Sequence, residues 1–194
     1  MIEPKIRGLV ENGAEVCVVI NSDCEDLFRS KLGGYGINYC YQQKPLGTAN
    51  SAYSAKGFVT DDLFIVMMGD DLVDYDFGKM LALDSPAVFG YRAGDVTGYG
   101  ALDVNERGEV TRIIEKQRSG PGVVNTGVYA MPKAFFDHYG EIVPGPNGEE
   151  NLTDTPELLS KYGIRFRFEA LDRWVGINTP AELDRANVLL ADER

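Results

Sequence analysis

An α/β fold on a doubly wound, mostly parallel sheet is what this 194-residue chain predicts. Three observations carry the expectation. The buried-looking runs Glu15–Ile20 (EVCVVI) and Leu63–Met68 (LFIVMM) read as strands, and segments of helical period separate them. Polar caps and glycine stops punctuate the junctions. The second run ends abruptly in Gly69-Asp70-Asp71, and open α/β sheets bind ligands beyond the carboxyl ends of their strands.

The elements follow in order. Ile2, Ile6, Leu9 and Val10 recur at helical spacing over Ile2–Glu11, and Asn12-Gly13 supplies the stop. After the first strand, Ser22 and Glu25 have capping-box spacing, so a helix is expected over Asp23–Leu32, ending at Gly33-Gly34. Ile37–Gln42 alternates as a strand and Ala49–Lys56 is a helix of small residues. Beyond Asp71, Tyr75–Leu83 reads as helix and Ala87–Tyr91 as strand. Tyr99–Val104 and Glu109–Glu115 flank Asn105-Glu106-Arg107-Gly108, a hairpin signal. Val123–Met131 is a strand, Pro132–Tyr139 a short helix, Val143–Glu149 an exposed loop, Asp154–Tyr162 a helix and Arg165–Leu171 a strand. Thr179-Pro180-Ala181-Glu182 opens a closing helix, Thr179–Ala191, with an N-cap, a first-turn proline and a capping-box glutamate. One domain is the simplest organisation, with 1–74 and 75–194 as its two halves.

Composition narrows the function. Thirty acidic against 19 basic residues give a net charge of -11, which argues against nucleic acid as a partner, since that needs a positive footprint. Cys17, Cys24 and Cys40 are odd in number and lack metal-ligand spacing, and Cys17 and Cys40 read as small core residues. That usage fits a reducing cytoplasm. No apolar run approaches the length of a membrane span, and the N-terminus has no signal-peptide pattern.

Four constellations could carry chemistry. Asp70 and Asp71, directly after an apolar strand, are candidate ligands for a hard divalent cation whose shell a substrate phosphate completes; the plainer reading is a turn acid capping the helix near Tyr75. In the turn Gln42–Ala49, the Gln42 amide can pair with a base edge, Gly47 permits close backbone approach and Thr48 opens a helix. Taken alone, this is equally a plain β-to-α loop. Over Gly98–Asn125, Gly100 could admit a sugar ring, Glu115 accept from hydroxyls, Lys116 neutralise a phosphate, and Asn125 donate and accept. Each is also an ordinary strand end or turn residue. Asn178 stands at a helix entry after Trp174, where a second cap is the plainer reading and Trp174 a core or cleft wall. His138 lies away from all four and reads as a surface residue.

The order Q-x-x-P-L-G-T-A, G-D-D, G-Y-G, E-K, N-T-G, L-T-D and I-N-T-P-x-E-L resembles the sugar-phosphate nucleotidyltransferases, from about Ile2 to Asn187. The group includes N-acetylglucosamine-1-phosphate uridylyltransferase and the glucose-1-phosphate thymidylyl- and uridylyltransferases. The resemblance implies transfer of a nucleotidyl group from a nucleoside triphosphate, UTP by preference, to a sugar 1-phosphate, with Mg²⁺ as cofactor and pyrophosphate released. It implies that Gln42 reads the base beside Gly47 and Thr48, and that Gly100, Glu115 and Asn125 hold the sugar. It also implies that Lys116 contacts the sugar phosphate, and that Asp70 and Asn178 bind the metal. A homo-oligomer is compatible with it.

The resemblance departs at the amino end. The family's first strand, its G-x-G-T-R loop and its Pro-Lys pair have no counterpart, since Met1-Ile2-Glu3 aligns with the first helix. Loss of an internal strand is expected to expose strand edges and apolar surface. A fragment of a longer enzyme, a chain completed by a partner, and a binding module without turnover all fit this departure. A metal-dependent glycosyltransferase is a further alternative, which leaves Gln42–Ala49 and Asn178 without a role.

Overall fold

The computed structural model of the chain describes residues 2–177, 179, 180, 182–184 and 186. Helix α1 (Ile2–Glu11) ends where Gly13 takes a φ of 84° and the amides of Gly13 and Ala14 turn back to the carbonyls of Val10 and Leu9. Strand β1 (Cys17–Ile20) follows, then α2 (Glu25–Leu32) and β2 (Asn38–Tyr41), which pairs parallel with β1. The Ser22–Glu25 capping box does not form. A 3-10 turn over Ser22–Cys24, capped by the Asn21 side chain, intervenes and α2 starts at Glu25. Ile6, Val18, Ile20 and Leu32 bury a small core between this ribbon and its helices.

Helix α3 (Thr48–Ser54) leads to β3 (Leu63–Met67), β4 (Asp71–Asp74) and α4 (Phe77–Leu81). Then come β5 (Ala87–Ala93), β6 (Gly100–Val104), β7 (Glu109–Glu115) and the long β8 (Gly122–Pro132). The chain continues through α5 (Phe135–His138), α6 (Thr155–Ser160), β9 (Phe166–Ala170) and β10 (Arg173–Gly176). Six strands form one sheet in the order β3-β8-β5-β9-β7-β6, and β4 pairs with β10 in a separate ribbon.

The α/β class is as expected, but the sheet is mixed rather than mostly parallel. Strand β8 runs antiparallel to β3, β5 and β6, and among the described strands parallel pairing is confined to β1–β2 and β5–β9. The reason is β8 itself, whose eleven residues enter the sheet between strands that belong to both halves of the sequence. The hairpin signal at Asn105–Gly108 is realised as β6–β7. Strand β4 and its partner β10 are the elements that sequence patterning missed.

Both faces of the sheet are covered. On one, Phe64, Val66 and Met68 pack towards α3, α5 and α6 with Met131, Phe136 and Leu159. On the other, Leu63, Ile65 and Met67 pack towards α4 with Met80, Phe89 and Val128. A strand with apolar side chains on both sides is the pattern of a sheet interior. Yet among the described strands β3 pairs only with β8, and each of its five residues is only partly buried.

Candidate active site

A cleft of about 550 Å³ opens beyond the end of β3. It gathers Thr48, Asp70, Gly100, Glu115, Lys116 and Asn125, six of the nine residues expected to bind. Gln42 and Gly47 stand back from it, and Asn178 lies outside the described residues.

The two acids after β3 have different environments. Asp71 is 3 % exposed; its Oδ1 lies 2.5 Å from Lys5 Nζ, and its Oδ2 accepts from Trp174 Nε1 at 3.3 Å. Burial raises the Asp71 carboxyl above its usual range, Lys5 and Trp174 pull it back, and Asp70 pushes it further up. Asp71 is therefore a structural anchor. Asp70 is exposed on the cleft, and its carboxylate has no hydrogen-bond or ion-pair partner among the described residues. Its carbonyl accepts from Ile177 N at 3.0 Å, which ties the end of β3 to the segment after β10. A single free carboxylate fits Mg²⁺, which binds through one or two protein carboxylates together with substrate phosphates. The described residues hold no cluster of three metal-ligating side chains.

Glu115 and Lys116 both line the cleft although they are adjacent, because Lys116 has a φ of 54° and an extended strand would send them to opposite faces. The amide of Lys116 donates to Tyr99 O at 3.1 Å, which holds this left-handed turn. Partial burial raises the Glu115 carboxyl, Lys116 opposes the shift and Asp154 adds to it. Gly100 faces Glu115 across the β6–β7 pair, and a Cβ at Gly100 would stand 2.7 Å from Glu115 Oε1.

Asn125 sits at an irregularity in β8. Phe89 pairs with Val128 but Gly90 with Asn125, so Thr126 and Gly127 bulge out of the ladder. Gly127 takes a φ of 72°, and the Thr126 hydroxyl donates to Phe89 O at 2.7 Å. Asn125 Nδ2 donates to the fully buried Tyr129 hydroxyl at 2.9 Å, and its Oδ1 accepts from Gly127 N at 3.2 Å. The bulge places this amide on the cleft wall.

The Gln42–Ala49 turn is built for the fold. Gln42 Nε2 donates to Gly47 O at 3.1 Å and to Asn50 Oδ1 at 3.0 Å. Gly47 has a φ of 112°, and a side chain there would run into the backbone of Glu150. The Ala49 amide donates to Glu150 O at 2.9 Å and the Leu152 amide to Thr48 Oγ1 at 3.0 Å. The close approach that Gly47 allows is therefore to the 150 loop, which brings Leu152 and Thr153 to the cleft wall. Trp174 forms another part of that wall, edge-on to Tyr99 at 5.3 Å, and Tyr99 in turn donates to Glu182 at 2.7 Å.

Sequence reasoning missed Lys5. It falls between Ile2, Ile6 and Leu9 on the inner stripe of α1, and it is 4 % exposed. A lysine within an apolar stripe was the available signal, and its partner lies 66 residues away.

This mixed sheet, with the Asp70 carboxylate at a strand end and a polar cleft over it, is shared with known proteins. Residues 1–193 match the family described as Nucleotidyl transferase, and the chain belongs to that family. Among curated relatives, the low-salt glycan biosynthesis nucleotidyltransferase of Haloferax volcanii is 28% identical over 214 residues, covering 100% of this chain and 58% of the relative. A bifunctional protein GlmU of Methanococcus maripaludis is 26% identical, over 94% of this chain and 44% of its own length. The UTP–glucose-1-phosphate uridylyltransferase of Haloferax volcanii is 26% identical, over 95% of this chain and 81% of its own. The chain thus spans about half the length of the first two. Among solved structures, a putative glucose-1-phosphate thymidylyltransferase from Bacillus anthracis superposes with a TM-score of 0.81 at 21% identity, over 97% of this chain and 81% of that one. HddC from Yersinia pseudotuberculosis gives 0.71 at 23% identity. These structural likenesses establish the nucleotide-diphospho-sugar transferase fold.

Proposed function

We propose that the cleft transfers a nucleotidyl group from a nucleoside triphosphate, UTP by preference, to a sugar 1-phosphate, releasing pyrophosphate. The observation that carries this reading is the convergence of Asp70, Glu115, Lys116 and Asn125 from distant parts of the chain on one polar cleft. Glu115 accepts hydrogen bonds from sugar hydroxyls, and the locked Asn125 amide fixes the orientation of the ring. Lys116 offsets the charge of the sugar phosphate, whose oxygen attacks the α-phosphorus in line. Asp70, with Asn178, would hold Mg²⁺, which when bound stabilises charge on the phosphoryl oxygens.

A second reading has an observation of its own. Lys116 is the single basic side chain among the described residues lining the cleft, against Asp70, Glu115 and Glu182, while Lys5 neutralises Asp71 from behind. So acidic a wall suits an uncharged sugar better than a triphosphate, and favours a module that binds a sugar nucleotide without turning it over. The test is a pyrophosphate-release assay with UTP, Mg²⁺ and glucose 1-phosphate or N-acetylglucosamine 1-phosphate, run beside calorimetry with the UDP-sugars. Release supports transfer. Binding without release supports the module, and neither binding nor release overturns both.

A further inference from the structure

Cys17 and Cys40 meet on the parallel β1–β2 ribbon. Cys17 pairs with Asn38 and Cys40 with Val19, so the two are diagonal neighbours in the register. Alternation sends both to one face of the ribbon, while Val18, Ile20 and Tyr39 turn to the core that Ile6 and Leu32 share on the other. Short side chains at diagonal positions seldom touch. Here Cys17 Sγ nevertheless donates to Cys40 Sγ at 2.9 Å. Both thiols are half-buried, so a small molecule can reach them, and neither lines the substrate cleft.

We infer that Cys17 and Cys40 are a reversible dithiol–disulfide pair, closed by a low-molecular-weight disulfide and reopened by the corresponding thiol. The direction of the contact assigns the roles. Burial and the neighbouring Cys40 sulfur push the Cys17 thiol up to about 12, so Cys17 keeps its proton. Cys40 accepts the hydrogen bond and supplies the attacking sulfur. Its thiolate attacks one sulfur of the small disulfide; a mixed disulfide forms, and the small thiolate expelled takes up the Cys40 proton. The Cys17 sulfur then attacks Cys40 Sγ, the bridge closes, and the second small thiolate leaves with the Cys17 proton. The cysteine pair loses two electrons and the small disulfide gains them, so no further reactant is needed. The diagonal register obliges the two strands to shift as the bond forms, and a strained bridge is readily reduced. Cys40 stands two residues before Gln42, whose amide holds Gly47 and Asn50, so closure bears on the turn that carries Thr48 to the cleft. The pair stands on the ribbon alone, whatever the cleft binds.

Cys24 is exposed and makes no side-chain cap at α2, so Cys24→Ser removes the third thiol without disturbing the fold. That chain is incubated with oxidised glutathione, quenched in acid, alkylated and weighed intact. The expected product is a monomer lighter by two hydrogen atoms and refractory to alkylation, with the bridge mapped by peptide analysis to Cys17 and Cys40. Excess reduced glutathione should reopen it. Closure should be about tenfold or more faster in buffer than in concentrated urea, because the fold supplies the effective concentration. Adding Cys17→Ser should arrest the reaction at one glutathione on Cys40. Failure to form the bridge, disulfide-linked dimers in its place, or equal rates in buffer and urea overturns the inference. A bridge that reduced glutathione cannot open overturns its reversibility.

Discussion

Lys5 crosses from α1 to the end of β3 and sets its ammonium 2.5 Å from Asp71, with the Met68 carbonyl as its other acceptor. Both groups are almost fully buried, so removing one strands the other. Lys5→Met should cost about 3–5 kcal/mol by urea denaturation, and adding Asp71→Leu should restore part of it. The Asp71 carboxyl is already raised, so the folded state holds its proton more tightly than the unfolded chain does. The group therefore costs stability above the ordinary carboxylate pKa, and that cost disappears as pH falls. The deficit of Lys5→Met should accordingly shrink towards acid pH, and a constant deficit would show that Asp71 is not its source. Asp70 is the opposite case, exposed and without a side-chain partner among the described residues. Asp70→Asn should lower metal-dependent transfer by about 100-fold or more while leaving the melting temperature nearly unchanged. Persistence of activity would remove Asp70 from the metal site. Sequence logic separated these two acids poorly, because Asp-Asp carries no record of which neighbour a distant lysine will neutralise.

At the level of elements, turn chemistry rather than strand propensity positions the cleft. Gly47 joins α3 to the 150 loop at a φ of 112°. Gly47→Ala combines a left-handed strain with a backbone collision, so a loss of about 1–3 kcal/mol is expected in thermal unfolding. The capping box at Thr179 is fully formed: Glu182 Oε2 accepts from Thr179 N at 2.8 Å and Glu182 N donates to Thr179 Oγ1 at 3.3 Å. Thr179→Ala should cost about 1 kcal/mol. That box was legible because its chemistry is local to four residues. So were α1 and the β6–β7 hairpin. Strand β4 was not, since Asp71-Leu72-Val73-Asp74 is short and acidic at both ends, and only its pairing with Arg173–Gly176 makes it a strand. The Gln42 turn is ambiguous for a related reason. An amide, a glycine and a helix start suit a ligand, yet the same groups suit a loop that must grip another loop.

Over the whole molecule, the charge of -11 and the acidic cleft act together. Screening should help an anionic triphosphate approach, so its KM is expected to fall as ionic strength rises to about 0.1 M at fixed Mg²⁺. A rising KM would mean that the site presents net positive charge to its substrate. None of the helices among the described residues is long and apolar enough to cross a membrane. The family was legible from the order of weak motifs, each ambiguous alone. The direction of β8 was not, because strand direction in a mixed sheet is a property of the assembled layers and leaves no mark on local periodicity.

The bond from Ile177 N to Asp70 O, next to the β4–β10 ladder, has a mechanical meaning. Backbone, not side chains, yokes the cleft carboxylate to a segment more than a hundred residues further on. A load on Asp70 from an incoming ligand is therefore delivered to the chain at Ile177. Conversely, a pull on that distal segment shifts the carboxylate, whichever side chains the two positions carry.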